Sequence, residues 1–150
     1  MKEQKYKEFI KRLEYHFKQK NYFESSWYSY AVLEDRCKSL LRLSENPSNQ
    51  ENTNVRMLGP KIGELQNRKP NDKYLKGVLF TEKEKPDLLE ELSNWKDDRN
   101  TLMHAMAEDD ALTINAIDLR AEKMASKGVE LVRKFCAACR SLKKYKKKED

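Results

Sequence analysis

Three residues within Asp97-Asp98-Arg99-Asn100-Thr101-Leu102-Met103-His104-Ala105-Met106 are of types suited to phosphoryl chemistry: Arg99, Asn100 and His104. Histidine, with an ordinary pKa of about 6.5, both takes and gives a proton near neutral pH. Arginine grips two phosphate oxygens through its planar fork and stays charged as negative charge builds on them. The amide of asparagine orients either an imidazole or a phosphate. RNA brings its own nucleophile, the 2′-hydroxyl, so its cleavage asks the protein for no serine, cysteine, metal ion or other cofactor. The set therefore points to acid–base cleavage of RNA. The same spacing also arises when an arginine on a helix seam pairs with an acid, here Glu34 or Asp35, and a histidine merely stands at the surface.

Helix geometry constrains how such a set works. Asn100 and His104, four apart, share a face, but about 140° separates Arg99 from His104 around the axis. One straight helix does not readily aim both at a single phosphate. Either the helix bends, the arginine curls round, or a second copy of the helix brings its own set.

The elements that must hold this stretch are helical. A first helix is predicted over residues 2–19, with Tyr6, Phe9, Ile10, Leu13 and Phe17 at spacings of three and four. His16 lies beside that stripe and reads as structural or surface. A second helix, 23–43, carries Phe23, Trp27, Tyr30, Cys37 and Leu41, interrupted by Glu34. An acid on an apolar seam is costly to bury unless paired, so Glu34 either has a partner or reaches water at the stripe's edge. Residues 44–56 read as a polar loop, 60–68 as a short helix with Pro60 in its first turn, and 74–80 as a helical turn.

The fourth main helix starts near Pro86 or Asp87 and runs to about Ala107 along Leu88, Leu92, Trp95, Arg99, Leu102 and Met106. Asp109-Asp110 supplies a break and a cap for a last helix, 111–142. Its seam is Ile114, Ile117, Ala121, Met124, Gly128, Leu131, Phe135, Cys139 and Leu142. Gly128 on that seam allows a neighbouring helix to come close. Antiparallel helices joined by short loops give an all-α, four- or five-helix bundle, with residues 1–150 as one domain.

Composition agrees. Gly and Pro number only four each, which favours long helices over turn-rich β structure. A mean hydropathy of −0.98 lies near the border of disorder, but 14 aromatic residues and regular apolar spacing argue for a folded chain. Half of the net charge of +6 sits in residues 143–150 (KKYKKKED), a tail that attracts polyanions or simply ends a helix in solvent. There is no apolar run of membrane-spanning length and no signal-peptide pattern, so no membrane partner is expected and the expected location is the cytoplasm. The three cysteines, including Cys136-x-x-Cys139, read as reduced core thiols and not as a metal or redox site.

Arg-Asn-x3-His late in a helical bundle, with one long helix after it, resembles the HEPN (higher eukaryotes and prokaryotes nucleotide-binding) domain family. The resemblance rests on Arg-Asn-Thr-Leu-Met-His at 99–104, and on a second helix containing Tyr and Trp that ends in LEDRCKSLL at 33–41. It implies a metal-independent endoribonuclease, often a toxin or defence effector, that works as a homodimer and is held by an antitoxin protein in some systems. It further implies that Arg and His of two subunits meet in a cleft. Arg99 would then stabilise the scissile phosphate, Asn100 support the site and His104 act as general acid or base, leaving a 2′,3′-cyclic phosphate. Met106 stands where members paired with a nucleotidyltransferase antitoxin often carry a modified tyrosine. Some members bind without cutting, so a non-catalytic module that holds nucleic acid or a protein partner is the alternative expectation.

Overall fold

A computed structural model of the chain describes residues 3–44, 57–79 and 87–149. The described residues are all-helical. They form α1 (Glu3–Lys18), α2 (Tyr22–Leu43), α3 (Leu58–Arg68), a short 3-10 turn (Lys69–Asn71), α4 (Lys73–Leu79), α5 (Leu88–Glu108) and α6 (Ile114–Glu149). The count is six α-helices where four or five were expected, because the segment read as a single helical turn is the seven-residue α4. Apart from Ser44, the polar loop at 44–56 lies outside the described residues, as do Phe80 and Pro86. No helix among the described residues is long and apolar enough to cross a membrane.

The chain divides into two compact units, residues 1–32 with 94–132 and residues 33–93 with 133–150. In the first unit, α1 ends on Lys20, whose φ of 61° turns the chain back, with the amide of Asn21 bonded to the carbonyl of His16 at 2.8 Å. The start of α2 then buries a row of serines, Ser25, Ser26 and Ser29, and not the aromatic stripe expected there. Trp27 is 57% exposed, and Phe23 and Tyr30 are half-buried. Small residues face inward because the helices approach closely. The Ser25 hydroxyl donates to the carbonyl of Leu13 on α1 at 2.9 Å, and an added methyl on Gly128 of α6 would lie 3.2 Å from the Ser29 Cβ. The Trp95 ring fills the remaining side of this contact, and its indole N–H donates to the Met124 carbonyl at 2.8 Å.

The second unit is built on leucine. Leu33, Leu40 and Leu41 of α2, Leu58 and Leu65 of α3, Leu75 of α4, and Leu89 and Leu92 of α5 are fully buried, along with Phe135 and Leu142 of α6. The Arg68 guanidinium joins the end of α3 to the end of α2, donating to the Leu41 carbonyl at 3.0 Å and the Ser44 hydroxyl at 2.7 Å. Asp72 starts α4 by accepting from the amides of Tyr74 and Leu75. Asp87 does the same for α5, accepting from the Glu90 amide at 2.9 Å, and its other oxygen binds Lys69.

The ends of α6 differ from expectation in both directions. It begins at Ile114 and not at Ala111, and Thr113 caps it by accepting from the Ala116 amide at 3.1 Å. Asp109 instead closes the preceding turn, accepting from the Ala111 amide. The far end runs on to Glu149, so the lysine-rich segment is helical. Lysine is a good helix former, no Gly or Pro interrupts the run, and cations suit the negative end of the helix dipole. Ile114 is 74% exposed and Met106 43%, so each falls off the seam it was assigned to.

Candidate functional site

The residues singled out by their chemistry all lie on α5. Leu102 and Trp95, each 2% exposed, anchor this part of the helix and fix which way its other side chains face. Arg99 follows the buried side. It is half-buried, with its guanidinium carbon 4.6 Å from the centroid of the Tyr30 ring. A guanidinium over a ring face is held without using its N–H donors, which are the groups a phosphate uses.

Asn100 and His104 lie on the outer side of the same helix, both exposed. Neither is held by a side-chain hydrogen bond among the described residues. The helix therefore brings Asn100 and His104 together, one turn apart, and turns Arg99 away from them toward Tyr30. The helix is unbroken from Leu88 to Glu108, and Arg99 faces Tyr30.

The two acids named as possible ion-pair partners of Arg99 have partners of their own. Glu34 accepts from the Lys61 ammonium at 3.0 Å, and Asp35 pairs with Arg36. Lys61 is the partner that sequence reasoning missed. It sits on the apolar row of Leu58, Ile62 and Leu65 and is itself buried, so an oppositely charged residue on each of two apolar seams was the available signal. Tyr30 was read as core and not as a support for Arg99. Spacing along one helix carries no information about a ring on another.

Outside this stretch, His16 stacks against Tyr28 with ring centroids 5.7 Å apart and accepts from the Asn21 amide through Nδ1 at 3.2 Å. These contacts make it part of the α1–α2 packing. Cys37, Cys136 and Cys139 are free thiols and all buried. Burial raises the Cys37 thiol well above its usual range and pushes Cys139 up to about 11, so neither is a ready nucleophile. The Cys139 thiol donates to the Arg36 carbonyl at 3.5 Å. Among the described residues no group of three or more His, Cys, Asp or Glu is placed to hold a metal ion. No family model matches the chain, and no curated protein or solved structure matches it either.

Proposed function

We propose that this protein is a metal-independent endoribonuclease of the toxin or defence type, with a HEPN-like bundle and a site that two copies of the chain build from Arg99, Asn100 and His104. The observation that carries the reading is the division of labour on α5. Arg99 is stacked and half-buried on one side, while His104 and Asn100 are exposed on the other. A second copy supplies what one helix does not. Among the described residues, half of the eight exposed large hydrophobic residues, Met103, Met106, Ile114 and Leu119, lie within residues 103–119, a stretch that begins beside His104. Exposed apolar side chains gathered in one stretch favour a surface that another chain covers.

In the proposed reaction His104 takes the proton of an RNA 2′-hydroxyl, and the freed oxygen attacks the adjacent phosphorus. The bond from phosphorus to the 5′-oxygen breaks, that oxygen takes a proton from water, and His104 returns its own proton to solvent. The products are a 2′,3′-cyclic phosphate and a 5′-hydroxyl. Arg99 stabilises the charge that accumulates on the phosphate oxygens. In a toxin system an antitoxin protein is the further partner, and the work is done in the cytoplasm, where RNA is abundant.

A second reading draws on the helical end of α6, whose exposed Lys143, Lys144, Lys147 and Lys148 suit a polyanion without regard to chemistry. It describes a module that binds nucleic acid or a protein without cutting, and it requires that salt-sensitive binding survive replacement of both Arg99 and His104. The test begins with labelled single-stranded RNA in EDTA, incubated with wild type and with His104→Ala, each matched by circular dichroism and mass in solution. Wild type is expected to leave cyclic-phosphate ends, and the variant to lose at least about a hundredfold in rate. Cleavage that survives the substitution overturns the assigned roles. If neither protein cuts a panel of RNAs, the binding module is favoured.

A further inference from the structure

An open slot of about 300 Å³ lies within the second unit, between α4 and the far part of α6, and none of the residues argued above to do chemistry lines it. Its walls are Val78 and Leu79 of α4, Leu88 at the start of α5, and Ala137, Ala138 and Tyr145 of α6. Leu79, Leu88 and Ala138 are buried, Ala137 is exposed, and the Tyr145 side of the slot is open to solvent. Small residues make the space. Gly77 lines the α4 side, where an added Cβ would meet nothing within 4 Å, and two alanines stand opposite. The polar lining is the Ser141 hydroxyl and Lys134, whose ammonium lies 3.6 Å from the Glu91 carboxylate.

The surroundings of the slot carry one sign of charge. Between Leu131 and Lys148 the sequence of α6 has eight Lys or Arg and no acid, and α4 has two lysines and no acid. Lys73 and Lys146 approach the same Tyr74 ring, 5.1 and 5.7 Å from its centroid, so the basic parts of α4 and α6 make one surface. Ala137, Ser141, Tyr145 and Lys148 recur at spacings of three and four, which carries the slot's α6 wall along one helix face into exposed lysines. A recessed apolar slot within a basic surface asks for a protruding apolar group set among negative charges. A bilayer would be met by protruding apolar side chains, and here they are recessed. A nucleic acid would satisfy the lysines but brings polar-edged bases to walls that are mostly hydrocarbon. An acidic helix supplies both parts, a bulky side chain at one position and carboxylates one turn away.

We propose that this face docks an acidic amphipathic segment of another protein. The segment seats one bulky apolar side chain in the slot as its anchor and sets carboxylates against Lys144 and Lys148. The slot accounts for specificity, and the lysines account for attraction at a distance. Neither Arg99 nor His104 takes part, so this docking stands or falls independently of the ribonuclease reading.

The test uses the full chain and fluorescein-labelled, capped peptides of about 16 residues, long enough to form a helix on docking. They are built from Glu and Ala with a central Phe, Leu or Trp. Fluorescence anisotropy should show saturable binding of at least one of them, about tenfold or more tighter than the same peptide with Ala at its centre. Replacing the peptide's Glu by Gln should weaken binding by about tenfold, as should Lys144→Gln combined with Lys148→Gln in the protein. Ala137→Phe places the chain's own ring at the exposed edge of the slot and should reduce the anchored peptide to the level of its Ala version, with the circular dichroism unchanged. Gly77→Leu fills the slot from the opposite wall, where the space is open, and decides the same point if the first variant fails to fold. The proposal is overturned if no acidic peptide binds, if the anchored and Ala peptides bind alike, or if a folded blocking variant binds like wild type. It is also overturned if a single-stranded oligodeoxynucleotide or phosphatidylglycerol vesicles bind more tightly than every peptide, which would assign the face to a nucleic acid or to a bilayer.

Discussion

A lysine ammonium whose side chain is only 5% exposed needs a counter-charge, and in Lys61 that charge is the Glu34 carboxylate at 3.0 Å. The two partners are not equivalent. Glu34 keeps a third of its side chain in contact with solvent, whereas Lys61 does not. Removing the carboxylate strands a buried cation, and removing the cation leaves an acid that water reaches. Glu34→Gln is therefore expected to lower stability by about 2–3 kcal/mol, and Lys61→Met by less than about 1 kcal/mol, with a gain also in keeping. Urea unfolding of the two variants checks this, and equal losses would refute an account based on the stranded ammonium. The charge at 34 was legible as a break in an apolar stripe, and the types and spacing of Arg99, Asn100 and His104 were equally plain. The contacts that define them were not. Lys61 under Glu34 and Tyr30 under Arg99 come from other helices, and pairing between helices leaves no periodic trace.

Helices are held to one another most tightly where the smallest residues lie, and Gly128 tests that directly. Alanine is the better helix former by about 1 kcal/mol. Here its methyl would lie 3.0 Å from Trp95 Cζ2 and 3.2 Å from the Ser29 Cβ. Neither neighbour gives way easily. The indole is pinned by its bond to the Met124 carbonyl, and the Ser29 Cβ is fixed to the backbone of α2. Overpacking should prevail, and Gly128→Ala is expected to cost a net of about 1–2 kcal/mol with a shifted Trp95 emission. A more stable variant would mean that the contact is looser than it looks.

Asp87 at the start of α5 gives a pH-dependent test. Burial acts to raise its carboxyl, but the Glu90 amide and the Lys69 ammonium outweigh this and hold it below the usual range. A carboxyl lowered in the folded state contributes stability above its unfolded value, about 4, and loses it as pH falls through the folded value. Asp87→Ala should cost about 0.5–2 kcal/mol at pH 7, and the difference from wild type should narrow as pH falls through the folded value. Thermal melts across pH 2–7 would show it, and a gap that stays constant with pH would exclude the charged cap. The start of α5 near Asp87 was legible from the sequence, though not its capping role, as were the spans of α1, α2 and α5. The buried serine row was not, because Ser25, Ser26 and Ser29 read as a polar face until the closeness of α6 is known. The run of α6 to Glu149 was missed for a similar reason. A lysine cluster reads as a solvated end, although nothing in it stops a helix.

The proposed enzyme makes one demand that a single chain does not meet. Arg99 and His104 lie about 140° apart on an unbroken helix, with Arg99 turned toward Tyr30. In the proposed dimer each site takes its arginine from one copy and its histidine from the other. Arg99→Ala and His104→Ala would each be inactive alone. When the two are co-refolded, random pairing makes about half of the dimers mixed. A mixed dimer has one site that has lost both groups and one that has kept both, so about a quarter of the wild-type sites are restored. That restored activity should depend on protein concentration as the dimer does, and it should not appear when the variants are mixed faster than subunits exchange. If each chain carried a complete site, the mixture would stay as inactive as its parts. Activity in the co-refolded mixture thus distinguishes a shared site from a site within one chain.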